Sequence, residues 1–241
     1  MTGGLFFDFD GTLVDTFDDI IEGVQRARRA LDGPPLDPRE IRRHIGWGAR
    51  RLMGLCHPRL DPLRPERLPD AETPVPLPDD EIDAALSLFR RHYAGLLLRR
   101  TRAYPGVPEM CAALARDGFS LAVISNKPEH FVRQVMAGLA LTDPFRLIVG
   151  CETAGRAKPD PAPIAFALER LGLPAQRCIM IGDGRQDLRA AQAAGVSAAA
   201  VAWGLVPEAE LIPLGPAYLA RTVPELETWL RQAVRAAAYR S

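Results

Sequence analysis

Residues 8–16 have the sequence DFDGTLVDT and directly follow a short apolar run, Leu5-Phe6-Phe7. Residues two apart in an extended strand point to the same side, so we expect Asp8 and Asp10 to face one site together. Two carboxylates this close are costly unless a cation or a proton lies between them. The pair therefore suits a hard divalent metal such as Mg²⁺, or a nucleophile beside a proton donor. The alternative is an acidic turn in which either aspartate caps the backbone.

The composition is typical of a soluble globular protein. The chain has 241 residues, of which 47% are hydrophobic and 25% charged, and its net charge is 0. No basic surplus favours a nucleic-acid partner, and no polybasic tail favours a membrane surface. No apolar run approaches the roughly 20 residues that a transmembrane helix needs, and we find no signal peptide. We therefore expect a cytoplasmic protein, monomeric or homodimeric, with neither nucleic acid nor membrane as partner.

The cysteines and histidines do not indicate a metal or redox motif. The four cysteines are widely spaced and form no CxxC pair. The four histidines show no ligand spacing, so we interpret them as surface or packing residues. Reduced, partly buried cysteines again fit the cytoplasm.

Lysine is rare in this chain. The 30 basic residues other than histidine include only two lysines, Lys127 and Lys158, and the rest are arginines. An arginine fork and a compact ammonium are not interchangeable where a point charge must fit a small space. Both lysines fall in segments that are functional candidates for other reasons.

Strands and helices alternate from residue 104 onward, which predicts an α/β fold with a doubly wound, mostly parallel sheet. We predict strands at the apolar runs 5–9, 121–124, 147–149, 179–181 and 198–202. We predict helices near 108–117, 129–139, 161–171, 186–194 and 224–237. The first strand needs the later strands beside it, so residues 1–14 and 100–241 form one predicted core domain.

Residues 15–99 are a predicted helical insert within that core. Helical periodicity predicts helices at 16–31, 38–45, 48–56 and 79–99, with Asp79 or Asp80 capping the last. Seven prolines between His57 and Pro78 rule out a continuous helix or a central strand there. We predict an irregular loop over residues 57–78.

Ligands of open α/β sheets bind at the carboxyl ends of the strands, and further polar segments follow predicted strands. Ser125, Asn126 and Lys127 follow the strand at 121–124. The serine hydroxyl and the first N–H groups of the next helix are natural phosphate ligands. The alternative is a Ser/Asn helix cap, with a proline in the first turn.

Two more segments carry candidate charges. Lys158 precedes a helix and could neutralise phosphoryl oxygens and the charge on Asp8. Asp183 follows the strand at 179–181, within reach of a metal beside Asp8, and Asp187 lies four residues later. Asp187 could bind a metal-bound water or orient Lys158, or it could complement the helix dipole.

These segments together resemble the four motifs of the haloacid dehalogenase superfamily: D-x-D, a Ser or Thr, a Lys, and G-D-x-x-x-D. The resemblance covers the whole chain and includes the helical insert, which resembles the C1 cap of that superfamily. Within it, the chain is most similar to the phosphoglycolate phosphatase-like group, on the residues 8–16, 125–128, 158–161, 183–187 and 202–204. Gly46 and Gly48 match a glycine pair of that group.

The resemblance implies a Mg²⁺-dependent phosphatase that acts on a small phosphorylated metabolite. Asp8 would be the nucleophile and Asp10 the acid and base, with Ser125 and Lys158 completing the catalytic set. Mg²⁺ would be held by Asp8, the carbonyl of Asp10 and Asp183, with Asp187 as a further candidate. The predicted substrate-binding residues are Thr12, Ser125, Asn126, Lys127 and Arg50.

Arg50 is the candidate for choosing the substrate. An arginine near Gly46 and Gly48 could grip a carboxylate bidentately, as 2-phosphoglycolate would require; the alternative is a solvated helix face. Two other functions stay open, a phosphomutase similar to β-phosphoglucomutase and a non-catalytic binding protein. A 2-haloacid dehalogenase is disfavoured because it has no use for Asp10 or Asp183.

Overall fold

The computed structural model describes residues 3–63 and 74–238, so residues 64–73 of the predicted proline-rich loop lie outside the described residues. The chain divides into two compact units. The first combines Met1–Asp15 with Arg102–Ser241, and the second is Thr16–Thr101. Among the described residues, no helix combines the length and the apolar character needed to cross a membrane.

The first unit is built on a six-stranded sheet whose neighbouring strands all pair in parallel. Its strands are β1 (Gly4–Phe7), β4 (Ser120–Ile124), β5 (Phe145–Val149), β6 (Cys178–Gly182), β7 (Ser197–Val201) and β8 (Tyr218–Ala220). Their order is β5-β4-β1-β6-β7-β8, so the chain winds outward from β1 in both directions. Since parallel crossovers are right-handed, the two windings place helices on opposite faces. The predicted doubly wound α/β fold is confirmed.

The middle of the sheet is apolar on both faces, as a sheet covered by helices requires. All four residues of β1 are buried, and so are all five of β4 and of β6. Phe6 packs into one core cluster with Ala122, Val149 and Met180, which come from three other strands. The register pairs Phe7 with both Val123 and Ile181, so β4, β1 and β6 end at the same level.

Helices occupy the connections between strands of the first unit, and one helix follows the last strand. They are α5 (Val107–Arg116), α6 (Glu129–Gly138), α7 (Ala162–Leu171), α8 (Arg185–Ala193), α9 (Glu208–Leu211) and α10 (Val223–Ala238). The predicted strands at 121–124, 147–149, 179–181 and 198–202 and five predicted helices correspond to observed elements. Four short elements were not predicted because they are too short for a periodic pattern: α9, β8, and the antiparallel pair of β2 (Val14–Asp15) with β3 (Arg102–Ala103).

The second unit is helical. Its helices are α1 (Phe17–Ala30), α2 (Pro38–Arg43), α3 (Ala49–Leu55) and α4 (Asp79–Ala94). The prediction of one helix over 79–99 was wrong at its end, because α4 stops at Ala94. The predicted cap was also wrong: Pro78 is the N-cap residue, and no side chain caps the helix.

Candidate active site

The common end of β4, β1 and β6 brings the predicted motifs together. Asp8 follows β1 directly, Ser125 follows β4, and Asp183 follows β6. The backbone N–H of Asp8 still donates to the carbonyl of Ile181 at 2.8 Å, which holds the first motif against β6. Three adjacent parallel strands therefore deliver polar side chains to one edge of the sheet, at the point where its winding reverses.

The expectation that Asp8 and Asp10 are placed by alternation along one extended strand was wrong. The strand predicted over residues 5–9 ends at Phe7, and residues 9–14 form a tight loop instead. The N–H groups of Leu13 and Val14 both donate to the carbonyl of Phe9, at 3.0 and 3.1 Å. Gly11 permits this turn because its φ is +88°, in the left-handed region.

Lys158 joins two of the aspartates. Its ammonium lies 2.9 Å from Asp8 Oδ1 and 2.6 Å from Asp187 Oδ1, and it also donates to the carbonyl of Ile124 at 2.6 Å. The other oxygen of Asp187 accepts the N–H of Gly184 at 3.0 Å. The side chains of Lys158 and Asp187 are fully buried, so water does not screen these interactions. Asp187 thus both orients Lys158 and caps α8.

Asp183 is held by hydrogen bonds from two distant parts of the chain. Thr12 Oγ1 donates to Asp183 Oδ1 at 2.9 Å, and the N–H of Leu205 donates to Asp183 Oδ2 at 2.7 Å. Asp183 is 2% exposed and Thr12 is 1% exposed, which fixes this carboxylate in a dry environment.

The protonation of these carboxylates reflects their crowding. Burial, together with the charge of Asp187, raises the pKa of Asp8 to about 7 although Lys158 opposes the shift. Burial and the charge of Asp8 likewise raise the pKa of Asp183 to about 7. Burial also raises the pKa of Asp187. Burial opposes the charged form of Lys158, but Asp187 and Asp8 outweigh it and raise the pKa of that ammonium. These three carboxylates carry more negative charge than the Lys158 ammonium balances.

A divalent cation fits this imbalance. Among the described residues, Asp8, Asp183 and Asp187 each offer a carboxylate oxygen, and these oxygens lie within 4.8 Å of one another. Three ionised carboxylates and one ammonium leave an excess of negative charge that a divalent cation neutralises. Carboxylate oxygens are the ligands that Mg²⁺ prefers. The side chain of Asp10 is outside this group; the family resemblance assigns to the metal only its carbonyl.

Asp10 pairs with the second lysine. Lys127 Nζ donates to Asp10 Oδ1 at 2.8 Å, and the two side chains are 5% and 14% exposed. The backbone of Lys127 is fixed as well, because its N–H donates to Ser125 Oγ at 3.1 Å and its carbonyl accepts the N–H of Cys151 at 3.2 Å.

Asn126 joins the two lysine segments. Its Nδ2 donates to the carbonyl of Lys158 at 2.8 Å, and its Oδ1 accepts the N–H of Lys158 at 2.8 Å. Both ends of the amide are therefore engaged by the backbone beside the active-site lysine. Substrate binding by Asn126, Lys127 and Thr12 remains a prediction, since in this structure their side chains contact Lys158, Asp10 and Asp183.

Arg50 is the one predicted site residue in the second unit. Its guanidinium lies 2.7 Å from Asp79 Oδ1 and 2.9 Å from Asp83 Oδ1, both on α4. Its role toward a substrate also remains a prediction.

The segment 203–205 is part of the site, although no role was predicted for it beyond the resemblance at residues 202–204. Trp203 Nε1 donates to the carbonyl of Thr12 at 3.2 Å, and Leu205 binds Asp183. Gly204 packs so closely on Asp183 that a Cβ there would overlap its side chain. The available signal was the position of this segment, which directly follows the predicted strand at 198–202, as the other motifs follow theirs.

Comparison with known proteins agrees with this geometry. A family model described as haloacid dehalogenase-like hydrolase matches residues 5–201. A phosphoglycolate phosphatase from Colwellia psychrerythraea is 33% identical over 222 residues, which cover 92% of this chain and 94% of that protein. An N-acetylmuramic acid 6-phosphate phosphatase from Pseudomonas aeruginosa is 32% identical over 208 residues, 84% of this chain and 82% of that protein.

The fold agrees with solved structures as well. A haloacid dehalogenase-like family hydrolase from Streptococcus pneumoniae superimposes with a TM-score of 0.79 at 23% identity. The superposition covers 95% of this chain and 98% of that one, so the likeness extends over the whole fold.

Proposed function

Because this chain belongs to the haloacid dehalogenase-like hydrolase family, we propose that it is a Mg²⁺-dependent phosphatase that forms an aspartyl-phosphate on Asp8. The chain is a phosphoric monoester hydrolase by its family and its relatives. The observation that carries the residue assignment is the cluster of Asp8, Asp183 and Asp187 at the strand ends, in which the buried Lys158 ammonium joins Asp8 to Asp187.

The first half-reaction transfers the phosphoryl group to the protein. Asp8 Oδ attacks phosphorus in line, and the bond from phosphorus to the ester oxygen breaks. Asp10 gives its proton to the leaving alkoxide. Lys158 neutralises the negative charge of the phosphoryl oxygens, and Ser125 binds those oxygens. Catalysis is therefore mostly positioning and electrostatics.

The second half-reaction regenerates the nucleophile. A water oxygen attacks phosphorus, Asp10 takes the proton of that water, and the bond between phosphorus and Asp8 breaks. Phosphate leaves, and Asp10 again carries the proton needed for the next cycle. When bound by Asp8, the Asp10 carbonyl and Asp183, Mg²⁺ supplies positive charge that offsets the negative charge of the phosphoryl group.

We propose a phosphorylated carboxylic acid as the substrate, with 2-phosphoglycolate as the first candidate. The relatives support this class, because phosphoglycolate and N-acetylmuramic acid 6-phosphate each carry a carboxylate besides the phosphate. We further propose that residues 15–99 are a C1 cap that selects the leaving group, with Arg50 as the carboxylate ligand. The four cysteines are free thiols, which supports the proposed cytoplasmic location.

The test is phosphate release with Mg²⁺ over a panel of 2-phosphoglycolate, N-acetylmuramic acid 6-phosphate, glucose phosphates, nucleoside monophosphates and p-nitrophenyl phosphate. Controls are EDTA, Asp8→Asn, and Asp15→Asn, which makes the same change at an exposed aspartate of the adjoining strand. We expect turnover that EDTA and Asp8→Asn abolish and that Asp15→Asn leaves unchanged.

The panel also separates the alternatives. Preference for the two carboxylate-bearing esters supports the proposed substrate class. Equal rates on phosphate esters whose alcohol part carries no charge contradict it. Conversion of one glucose phosphate to its isomer without phosphate release indicates a phosphomutase. No Asp8-dependent turnover on any member contradicts the phosphatase itself.

A further inference from the structure

The two lysines of this chain have matching places in the active site. Among 30 lysines and arginines, only Lys127 and Lys158 are lysines. Lys158 lies 2.9 Å from Asp8 Oδ1, and Lys127 lies 2.8 Å from Asp10 Oδ1. Each aspartate of the D-x-D motif thus has its own ammonium. A guanidinium is larger and planar, so neither narrow position suits the arginine used elsewhere in the chain.

Lys127 is built into the site rather than lying on its surface. Its side chain is 5% exposed, and its backbone is fixed by Ser125 and Cys151. The neighbouring Asn126 ties the same segment to the backbone of Lys158. The position of the Lys127 ammonium is therefore set by the same strand-end framework that places Lys158.

The contact with Lys127 bears on how Asp10 is held. Asp10 lies beyond the end of β1, in the loop closed around the Phe9 carbonyl, and its neighbour Gly11 has a left-handed backbone. An acid and base acts only when its carboxyl group is oriented toward the reacting oxygen. A shielded ion pair with a fixed ammonium constrains that orientation more effectively than an exposed one.

We propose that Lys127 is a positioning residue that holds the Asp10 carboxyl group in the orientation used for proton transfer. This inference rests on the proposed function. A positioning role differs from a phosphate-binding role. Loss of a positioning lysine slows the steps that use Asp10, whereas loss of a phosphate ligand lowers the affinity for the substrate.

The two half-reactions give the inference a kinetic signature. Release of p-nitrophenolate needs no proton donor, so phosphoryl transfer from p-nitrophenyl phosphate does not depend on Asp10. Hydrolysis of the aspartyl-phosphate does depend on Asp10, whatever the substrate, because water must lose a proton. An alkyl phosphate needs Asp10 in both steps.

The experiment is rapid-mixing kinetics with Mg²⁺ on the wild type, Lys127→Met, Lys127→Arg and the control Arg156→Met. Arg156 supplies a matched loss of charge from an exposed side chain in the loop before α7. The substrates are p-nitrophenyl phosphate and the best alkyl phosphate of the panel. Asp8→Asn is measured in the same assay as a control for the proposed function.

For Lys127→Met we expect a first turnover of p-nitrophenyl phosphate within about threefold of wild type, followed by a steady state about 10²-fold slower. With the alkyl phosphate, the first turnover itself falls by about 10²-fold or more. The substrate concentration that half-saturates the first turnover stays within about threefold of wild type for both substrates. Lys127→Arg keeps a cation for the fold and gives the same separation of the two substrates with a smaller loss. Arg156→Met leaves all rates unchanged.

The inference is overturned if the first turnover slows equally with both substrates and needs a higher substrate concentration for half-saturation, which is the result expected of a phosphate ligand. It is also overturned if both folded Lys127 variants match the wild type. If the Asp8→Asn variant turns over substrate as fast as the wild type, the proposed function is contradicted instead. This outcome is recognised before any Lys127 variant is compared.

Discussion

Thr12 donates its hydroxyl to Asp183 over 2.9 Å, although 171 residues separate the two in the chain. This hydrogen bond joins the loop after β1 to the loop after β6 and leaves one Asp183 oxygen oriented by a side chain. Partners that orient a metal ligand in this way contribute to metal affinity without touching the metal.

Thr12→Val should therefore weaken Mg²⁺ binding by about 10- to 100-fold, because it keeps the shape of the side chain and removes the donor. Calorimetric titration of Mg²⁺ measures this directly, without substrate. Thr12→Ser is the matched control and should bind Mg²⁺ as the wild type does. Equal affinities of the valine and serine variants would show that the hydroxyl does not support the metal.

Gly204→Ala should damage the same ligand from the other side. A methyl group there overlaps the Asp183 side chain, which has no room to move because it is buried. We expect a folded protein whose kcat falls by about 10²-fold or more, since small displacements of a catalytic group are costly. Gly95→Ala is the control, because its nearest contact would be the His92 carbonyl oxygen at 3.8 Å. Phosphate release from both variants, with their thermal unfolding, checks the prediction; unchanged kcat in Gly204→Ala would contradict it.

The stability of the metal-free protein should fall as pH rises, and Mg²⁺ should offset this fall. The pKa values of Asp8 and Asp183 in the folded, metal-free protein are about 7, against 3.8 for the unfolded groups. Between these values the folded state binds more protons, so the free energy of unfolding falls as pH rises. Mg²⁺ replaces those protons, so the stabilisation by Mg²⁺ should grow over the same range.

Thermal unfolding with saturating Mg²⁺ and with EDTA, from about pH 5 to about pH 8, measures this difference. Asp8→Asn should reduce the pH dependence of the EDTA series, since it removes one of the two titrating groups. An increase in Tm by Mg²⁺ that is the same at every pH would contradict competition between the metal and protons at this site.

Lys158 should be indispensable for both activity and stability. Lys158→Met leaves Asp8 and Asp187 buried without their cation, a change that costs about 3–5 kcal/mol of unfolding free energy in comparable buried pairs. Lys158→Arg keeps the charge but not the compact shape, so kcat should fall by about 10²-fold or more in both variants. Denaturant unfolding and phosphate release check these outcomes. A methionine variant as active as the wild type would remove Lys158 from the mechanism.

The middle of the sheet could be predicted from the sequence because its strands are almost entirely apolar and alternate with amphipathic helices. The rule that polar residues after parallel strands meet at one edge of the sheet predicted that Asp8 and Asp183 lie together. Lys158 does not directly follow a strand, and it joined this group, like Asp187, through its charge and the resemblance to the family motifs. The ends of elements were less accessible. The alternation rule predicted that the first strand runs through Phe9. Instead, β1 ends at Phe7, and the chain then turns so that the N–H groups of Leu13 and Val14 donate to the Phe9 carbonyl.

Contacts that depend on three-dimensional packing could not be predicted from spacing. Nothing in the sequence around Thr12 or Leu205 indicates that both bind Asp183, and the role of Trp203 depends on the Thr12 carbonyl. The same holds for Lys127, which was predicted to bind the substrate. Its ammonium contacts Asp10 in the structure. Such partners are chosen by the fold rather than by local pattern.

The most direct test of the central claim is peptide mapping by mass spectrometry after acid quench of a reaction with Mg²⁺ and 2-phosphoglycolate, or with the best substrate of the panel. We predict a phosphoryl group on the peptide that contains Asp8, formed at least as fast as phosphate is released and absent in Asp8→Asn. Phosphate release by an Asp8→Asn protein at the wild-type rate, with no phosphoryl group on that peptide, would contradict the account.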